Sequence, residues 1–481
     1  MSGVAATTAG GGQAVQPCTQ DYQRRAGEES VLHQAVRDGL SALIEDSEAK
    51  GGLPGFLLGE VRRFLACGVL AHGFVRVRCR GCGEESLVAF SCKGRLCPSC
   101  GARRAHVTAA HLVEEVLPYA PWRQWTLSFP YWLRWKLVKD ETLLAEVLRL
   151  LVGLVSARHR REARRLGVEG TLRTGAVTFV QYFGSALQLS PHFHSLVADA
   201  VVVVRDDGLE LVPVPPPSPE EVEQLALQLV QRVKKLLEKR GLLEADAFPE
   251  DALEALRLAS LQQRLPHIDD SEAPRARRHP RLAVVDGFSL HADTAVHAHD
   301  RAGLERLCRY GSRGAVAVER LSRRPDGMLE YHLKKPGRGG ATSLVLTPLA
   351  FLKRLAAVVP PRGKHLVRFH GCFAPNARLR AAVVTLGRPA PAPPPPAPEP
   401  TPGPAPARAS SRPRLDWASL LRRTFGFDVL TCPRCGDQRT VLGVVIKREA
   451  VDAVLTHLGL PTRRRPPARD SPRPPQLPLP L

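Results

Sequence analysis

The sequence predicts an α+β protein of several domains, and three observations carry that reading. Segments that alternate apolar and polar residues or run β-branched (WRQWTLSFP, GAVTFVQYF, SLVADAVVVV) are interleaved with long amphipathic stretches, so strands and helices share a core. Seven of the eleven cysteines lie in or beside CxxC pairs, and five of these, Cys79 to Cys100, mark a compact unit ahead of WRQWTLSFP. Near residue 388 the composition collapses to Pro and Ala, which separates a short final module from the rest.

In order along the chain, residues 1–28 are small and polar and read as a disordered tail. VLHQAVRDGLSALIED and FLLGEVRRFLACG follow as two amphipathic helices broken by Gly51, Gly52 and Pro54, and with the cysteine-rich block they form a 29–110 entry domain. A 115–386 domain begins at WRQWTLSFP. Its long helix LLAEVLRLLVGLVSARHRREARRLG ends at Gly167 with basic residues in the last turns, as the helix dipole favours. GAVTFVQYF and the run beginning at Leu189 read as a hairpin through GSALQLS. Ser218 and Glu221 have capping-box spacing with Pro219 at the first helical position, and Asp300 is placed to cap DRAGLERLCRYG. Strands flank the turn signals PDG and GRGG, with a helix at 348–358. A linker spans 387–413. A small module at 414–462 holds the helix DWASLLRRTFGF, a CPRC and a strand VLGVVI, and 463–481 is a second tail.

The charge narrows the partners. Lys plus Arg number 68 against 47 Asp plus Glu, a net +21 with a pI near 10.0, and arginine predominates, which favours bidentate phosphate contacts and makes nucleic acid the leading partner class. No apolar run reaches the roughly 18–20 residues of a membrane span and no export signal opens the chain, so the expectation is a cytoplasmic protein without a membrane partner. In a reducing compartment, paired cysteines indicate zinc and not disulfides.

Cys79 and Cys82, then Cys97 and Cys100, have fourteen residues between the pairs, and that spacing predicts one structural zinc in a ribbon held by these four thiolates. A second zinc from Cys67, His72, Cys92 and one more ligand stands against buried thiols and hydrogen-bonded histidines, with His106 also nearby. Cys432 and Cys435 read either as half a site, to be completed by Cys372, a histidine or another protomer, or as the relic of one. Arg80, Lys93, Arg95, Arg103 and Arg104 around the knuckles make a DNA-contacting surface or a solvated basic face.

QLSPHFHSL is the most informative segment. His192 and His194 stand two apart in a β-forming run, so both imidazoles project from one face about 7 Å apart, as a metal-chelating pair does. The rival pair, His297 and His299 in AHAHD, lies outside a strand. Among six tyrosines, Tyr310 differs from the rest: it ends ERLCRY amid Arg306, Arg309 and Arg313, where cations stabilise a phenolate and hold a phosphate. Tyr22 lies in the tail, Tyr119 and Tyr131 in proline-flanked aromatic segments, and Tyr182 and Tyr331 in strands.

SCKGRLCPSCG, FGSALQLSPHFHSLV, GLERLCRYGSR, YHLKKP and LVRFHGCFAPNARLR occur in that order, and the chain thereby resembles the rolling-circle transposases of the insertion sequence 91 family over residues 55–386. A weaker match covers LDWASLLRRTFGFDVLTCPRCG. The resemblance implies a zinc ribbon followed by an HUH-endonuclease domain, with a central antiparallel sheet whose helices lie on one face. It implies that His192 and His194 hold Mg²⁺ or Mn²⁺ with a third polar ligand, for which Gln181 on the neighbouring strand is the candidate. It further implies that Tyr310 attacks single-stranded element ends to leave a 5′-phosphotyrosine, in a bacterial, nucleoid-associated protein, while Lys334 and Lys335 read as phosphate contacts, as leaving-group stabilisers or as merely solvated lysines. Where some members have a second tyrosine four residues earlier, this chain has Arg306, a single-tyrosine arrangement. A zinc-dependent DNA-binding protein without catalysis, and an HUH replication initiator or relaxase, are the competing readings.

Overall fold

The structure, a computed structural model, describes residues 27–206, 208–243, 249–262, 279–334, 336, 340–361, 363–389 and 430–462. The expectations for the two tails, most of the linker, the helix DWASLLRRTFGF and Lys335 fall outside the described residues.

The centre is a six-stranded sheet in the order Val367–Gly371, Gly175–Phe183, Leu189–Ala198, Trp122–Ser128, Phe288–Val296 and Leu282–Val285, antiparallel throughout. Gly175–Phe183 and Leu189–Ala198 are the hairpin expected across GSALQLS. Both strands are buried along almost their whole length, so each face of the sheet needs an apolar cover. Helices Glu141–Arg165 and Pro219–Lys239 cover one face, packing Leu148, Leu151, Val222 and Leu229 against Trp125, Leu127, Phe193 and Val197. Helices Pro98–Glu115 and Arg301–Ser312 cover the other, where Leu112, Leu304 and Cys308 meet Trp122, Phe179 and Leu196. The expected single helical face is therefore corrected: Val177, Phe179, Leu196 and Ala198 make the second face as apolar as the first.

Side-chain caps start these helices, at Ser218 and Asp300 where the sequence places them and at Asp140 as the structure adds. Asp140 accepts from Leu143 N–H and Asp300 from Gly303 N–H, while Ser218 and Glu221 form a reciprocal capping box. Arg158, almost fully buried, donates to Glu221 and to the Pro215 carbonyl, which ties the two helices of the first face together.

One buried ion pair anchors the sheet. Arg123 donates to both oxygens of Asp199 (3.2 and 3.0 Å) and to the Ala292 carbonyl (2.7 Å), with His159 against the same carboxylate. Burial alone would raise the Asp199 carboxyl, but the hydrogen bond with His159 and the Arg123 guanidinium hold it below its ordinary range. Arg123→Met strands that carboxylate in the core; it is expected to cost about 3–5 kcal/mol in chemical denaturation, against under about 1 kcal/mol for an exposed pair.

The entry region does not stand apart. Helices Val31–Glu48 and Gly55–Leu65 share an apolar core with Cys97, Leu329, Tyr331, Phe351, Leu352 and Leu355, so packing runs across the 110–115 boundary that composition suggested. The segment after the linker is joined as closely. Arg439–Val445 pairs antiparallel with Phe74–Cys79, giving a sheet in the order Arg439–Val445, Phe74–Cys79, Glu85–Ala89, and helix Arg448–His457 buries Val451 and Leu455 against Leu70 and Phe74. The expected separate C-terminal module is thus an integral strand and helix of the N-terminal zinc region.

Candidate active site and metal centres

Eight cysteines gather into two clusters, Cys67–Cys92–Cys97–Cys100 and Cys79–Cys82–Cys432–Cys435. In the first, Cys67 and Cys100 sulfurs are 3.7 Å apart and Cys92 and Cys100 3.5 Å; in the second, Cys79 and Cys435 are 3.4 Å apart and Cys82 and Cys432 3.6 Å. A disulfide requires about 2.05 Å. Four thiolates about 2.3 Å from a tetrahedral zinc stand about 3.8 Å from one another, so both clusters fit zinc.

These groupings overturn the expected Cys79–Cys82–Cys97–Cys100 site. The hairpin Phe74–Cys79/Glu85–Ala89 pairs Phe74 with Ala89, which puts Cys79 and Cys82 at its tip and the chain leading to Cys92, Cys97 and Cys100 at its base. Five residues of strand separate the ends by about 17 Å, too far for one ion. The tip pair is met by the knuckle that precedes Arg439–Val445, so Cys432 and Cys435 are completed by Cys79 and Cys82, not by Cys372, which is buried in the apolar core beneath the sheet. At the base, Cys67 and Cys92 join Cys97 and Cys100 at the N-terminal end of helix Pro98–Glu115, where the helix dipole stabilises thiolates. Backbone N–H groups of Cys92 and Gly94 point at the Cys67 and Cys92 sulfurs (3.3 and 3.2 Å). His72 belongs to neither cluster. Three CxxC pairs with Cys67 and Cys92 beside them were the available signal; which of them meet depended on a strand contact across the linker.

The second centre lies on the sheet. His192 and His194 occupy alternate positions of Leu189–Ala198 with ring centroids 4.8 Å apart, and Gln181 is the cross-strand partner of His192, so all three side chains leave the same face. The His192 Nδ1–H donates to the Ser190 carbonyl (2.9 Å), which fixes that tautomer and makes Nε2 the nitrogen that carries the lone pair. His194 is buried. Desolvation, with the charges of His192 and Arg313, holds its pKa well below the ordinary range, which favours the neutral imidazole. His194 Nδ1 shares a 3.2 Å hydrogen bond with Thr126, leaving Nε2 buried without a protein partner. The Gln181 carbonyl oxygen is buried and unpartnered as well. Two such orphans cost about 1–3 kcal/mol each unless something binds them, and a divalent cation answers both.

Tyr310 stands over this pair, its ring centroid 5.5 Å from that of His194 and its side chain 37% exposed. Glycine sets the approach: a Cβ on Gly311 would lie 2.4 Å from the Phe179 ring, so only glycine lets helix Arg301–Ser312 come this close to the sheet. The Gln181 side-chain amide fixes the helix end by donating to the Tyr310 and Gly311 carbonyls (3.0 and 2.9 Å). Gly311→Ala is expected to destabilise the fold by about 1–3 kcal/mol. An alanine at exposed Arg306 is expected to change stability little, a comparison that chemical denaturation of the two purified variants decides.

Two cations lie over the phenol ring, one of them among the three arginines expected there. The Arg313 guanidinium lies 4.8 Å from the Tyr310 ring centre and Lys334 Nζ 5.6 Å from it, while Arg309 contacts His106 at 3.5 Å. Arg306, one turn earlier, is exposed and bridges Asp300 at 3.7 Å. A cavity of about 270 Å³ opens beside Gln181 and Arg313, walled by Val180, Leu355 and Val358 and lined also by Arg104 and Lys364. Tyr182 and Tyr331 are buried, and burial pushes the Tyr182 phenol up to about 12. His297 and His299 join no group of three metal-binding side chains among the described residues.

Residues 41–129 match a family model for the zinc-binding domain of insertion sequence 91 transposases, and residues 175–380 match the transposase family model Y2_Tnp. The chain belongs to the insertion sequence 91 family of transposases. No curated protein and no solved structure matches it. The zinc-domain match contains Cys67 to Cys100 but stops far short of Cys432, so the transposase draws half of its second zinc site from outside that domain. The match over 175–380 spans the His192–His194 strand, Gln181 and Tyr310. A transposase acts on DNA, in keeping with the net +21. No helix among the described residues is long and apolar enough to cross a membrane.

Proposed function

We propose that this transposase cuts single-stranded DNA at element ends through a covalent tyrosine intermediate and rejoins it in rolling-circle transposition. The observation that carries the reading is the convergence of His192, His194 and Tyr310 on one face of the sheet, with the Tyr310 ring 5.5 Å from that of His194. His192, His194 and Gln181 would hold the cation, Mg²⁺ or Mn²⁺, which when bound polarises the scissile phosphate and neutralises charge that develops on it.

The Tyr310 oxygen forms a bond to phosphorus while the bond from phosphorus to the 3′ oxygen breaks. The phenolic proton leaves to solvent, the departing 3′ oxygen ends as a hydroxyl, and the 5′ side remains on the enzyme. Arg313 and Lys334 lie where they can offset the negative charge on the phosphate. Because the phosphotyrosine stores the phosphodiester bond energy, attack by a 3′-hydroxyl reverses the step without ATP. Arg306 in place of an earlier tyrosine supports one nucleophile per chain, acting twice or in concert with a second copy.

Incubation with single-stranded element ends and Mn²⁺ tests this reading against a zinc-dependent DNA binder without catalysis. Cleavage is expected, and His192→Ala or His194→Ala should reduce it by about a hundredfold or more while DNA binding persists. DNA binding with no cleavage under any divalent ion would favour the binder. Cutting at a plasmid origin but not at element ends would favour a replication initiator.

A further inference from the structure

We infer a further divalent-metal site made by His279, His291 and Asp293, apart from both cysteine clusters and from the His192–His194 pair. The ligand atoms of the three lie within 4.8 Å of one another, and the two imidazole centroids are 5.3 Å apart at 83°. Ligands about 2.0–2.2 Å from one ion stand about 3–4.4 Å apart, so rotation about side-chain bonds closes the trio on a cation. Arg281 Nη1 holds the Asp293 Oδ1 at 3.2 Å, while Oδ2 faces His279 Nδ1 at 3.7 Å. The arginine thus orients the carboxylate and leaves its second oxygen directed at the imidazoles, as an outer-shell partner does in metal sites.

The backbone adds an independent observation. Phe288–Val296 loses register with Trp122–Ser128 between His291 and Thr294, a bulge that falls on the segment carrying His291 and Asp293. Bulges of this kind turn side chains out of the regular pleat and recur beside functional sites. A plain His279–Asp293 ion pair would need no contribution from His291, which comes from the far side of the strand turn at Asp286 and Gly287. Two imidazoles and one carboxylate suit zinc, manganese or another transition ion and not calcium, which takes oxygen ligands. The remaining positions would be open to water or to an oxygen ligand such as a phosphate. His291 pairs with Thr126, which pairs with His194, so this site opens on the same sheet face as Tyr310, two strands and about 10 Å away.

The test is metal stoichiometry in the full chain, independent of catalysis. In a His192→Ala/His194→Ala background, Co²⁺ is titrated into protein whose two thiolate sites are filled with zinc. One further equivalent with the weak spectrum of a nitrogen and oxygen site is expected, lost in His291→Ala and bound at least about tenfold more weakly in Asp293→Asn, which keeps the side-chain shape. Circular dichroism and the two zinc equivalents report that each variant is folded. No cobalt equivalent in the double-histidine background, or one unchanged by both His291→Ala and Asp293→Asn, overturns the site.

Discussion

Replacing Tyr310 by phenylalanine is expected to abolish the covalent DNA adduct and to lower cleavage by at least about a thousandfold, with little change in fold or in DNA affinity. The geometry makes the effect selective. The ring packs edge-on to His194 and beneath Arg313 and Lys334, contacts that phenylalanine retains, and the side chain is 37% exposed, so the hydroxyl is not needed to fill the core. Only the phenolic oxygen, the proposed nucleophile, is lost. Denaturation of the variant should therefore match the parent within about 0.5 kcal/mol. A variant that unfolds, or that still forms the adduct, would mean that Tyr310 packs and another group attacks.

The second large effect is expected from Cys432→Ser combined with Cys435→Ser. These residues lie beyond the linker, yet they supply half of the thiolate cluster whose other half is Cys79 and Cys82. Structural zinc contributes on the order of 10 kcal/mol to small domains, enough to decide whether the three-stranded sheet forms. Without the ion, Arg439–Val445 has little to hold it against Phe74–Cys79, because much of its own outward surface is exposed: Val441 is 54% and Val444 61% accessible. Leu70 and Phe74 would then lose Val451 and Leu455. Tightly bound zinc should fall from two equivalents to one, and protease should cut near Phe74–Cys79 before it reaches the central sheet. Two retained equivalents would show that the tip cluster is not a zinc site.

Local chemistry made much of the fold legible. The hairpin across GSALQLS, the Asp300 cap and the Ser218–Glu221 box each depend on residues within a few positions of one another, and each stands where pattern and capping place it. The histidine pair was legible for the same reason, since strand alternation alone puts His192 and His194 on one face. What pattern does not encode is which surfaces meet. That Gly311 allows helix Arg301–Ser312 to lie against Phe179, and so brings Tyr310 to His194, follows from packing between segments more than a hundred residues apart. Thr126 and Gln124, which support His194 from the adjacent strand, carry no sequence signature of their own. The cysteines show the limit most plainly. Spacing identified thiolate pairs as zinc ligands but matched neighbours in sequence, whereas a hairpin about 17 Å long parts those neighbours and a returning strand supplies the true partners.

The most direct measurement of the central claim is the position of the nucleotide on the protein. After cleavage of single-stranded element ends with Mn²⁺, nuclease trimming and trypsin digestion, mass spectrometry should find the residual nucleotide, linked through its 5′-phosphate, on the four-residue peptide Tyr310–Arg313. The same peptide should be unmodified when His192 and His194 are both alanine. A nucleotide on a peptide containing Tyr119 or Tyr131, or efficient cleavage that leaves no nucleotide on any tyrosine, would contradict the account.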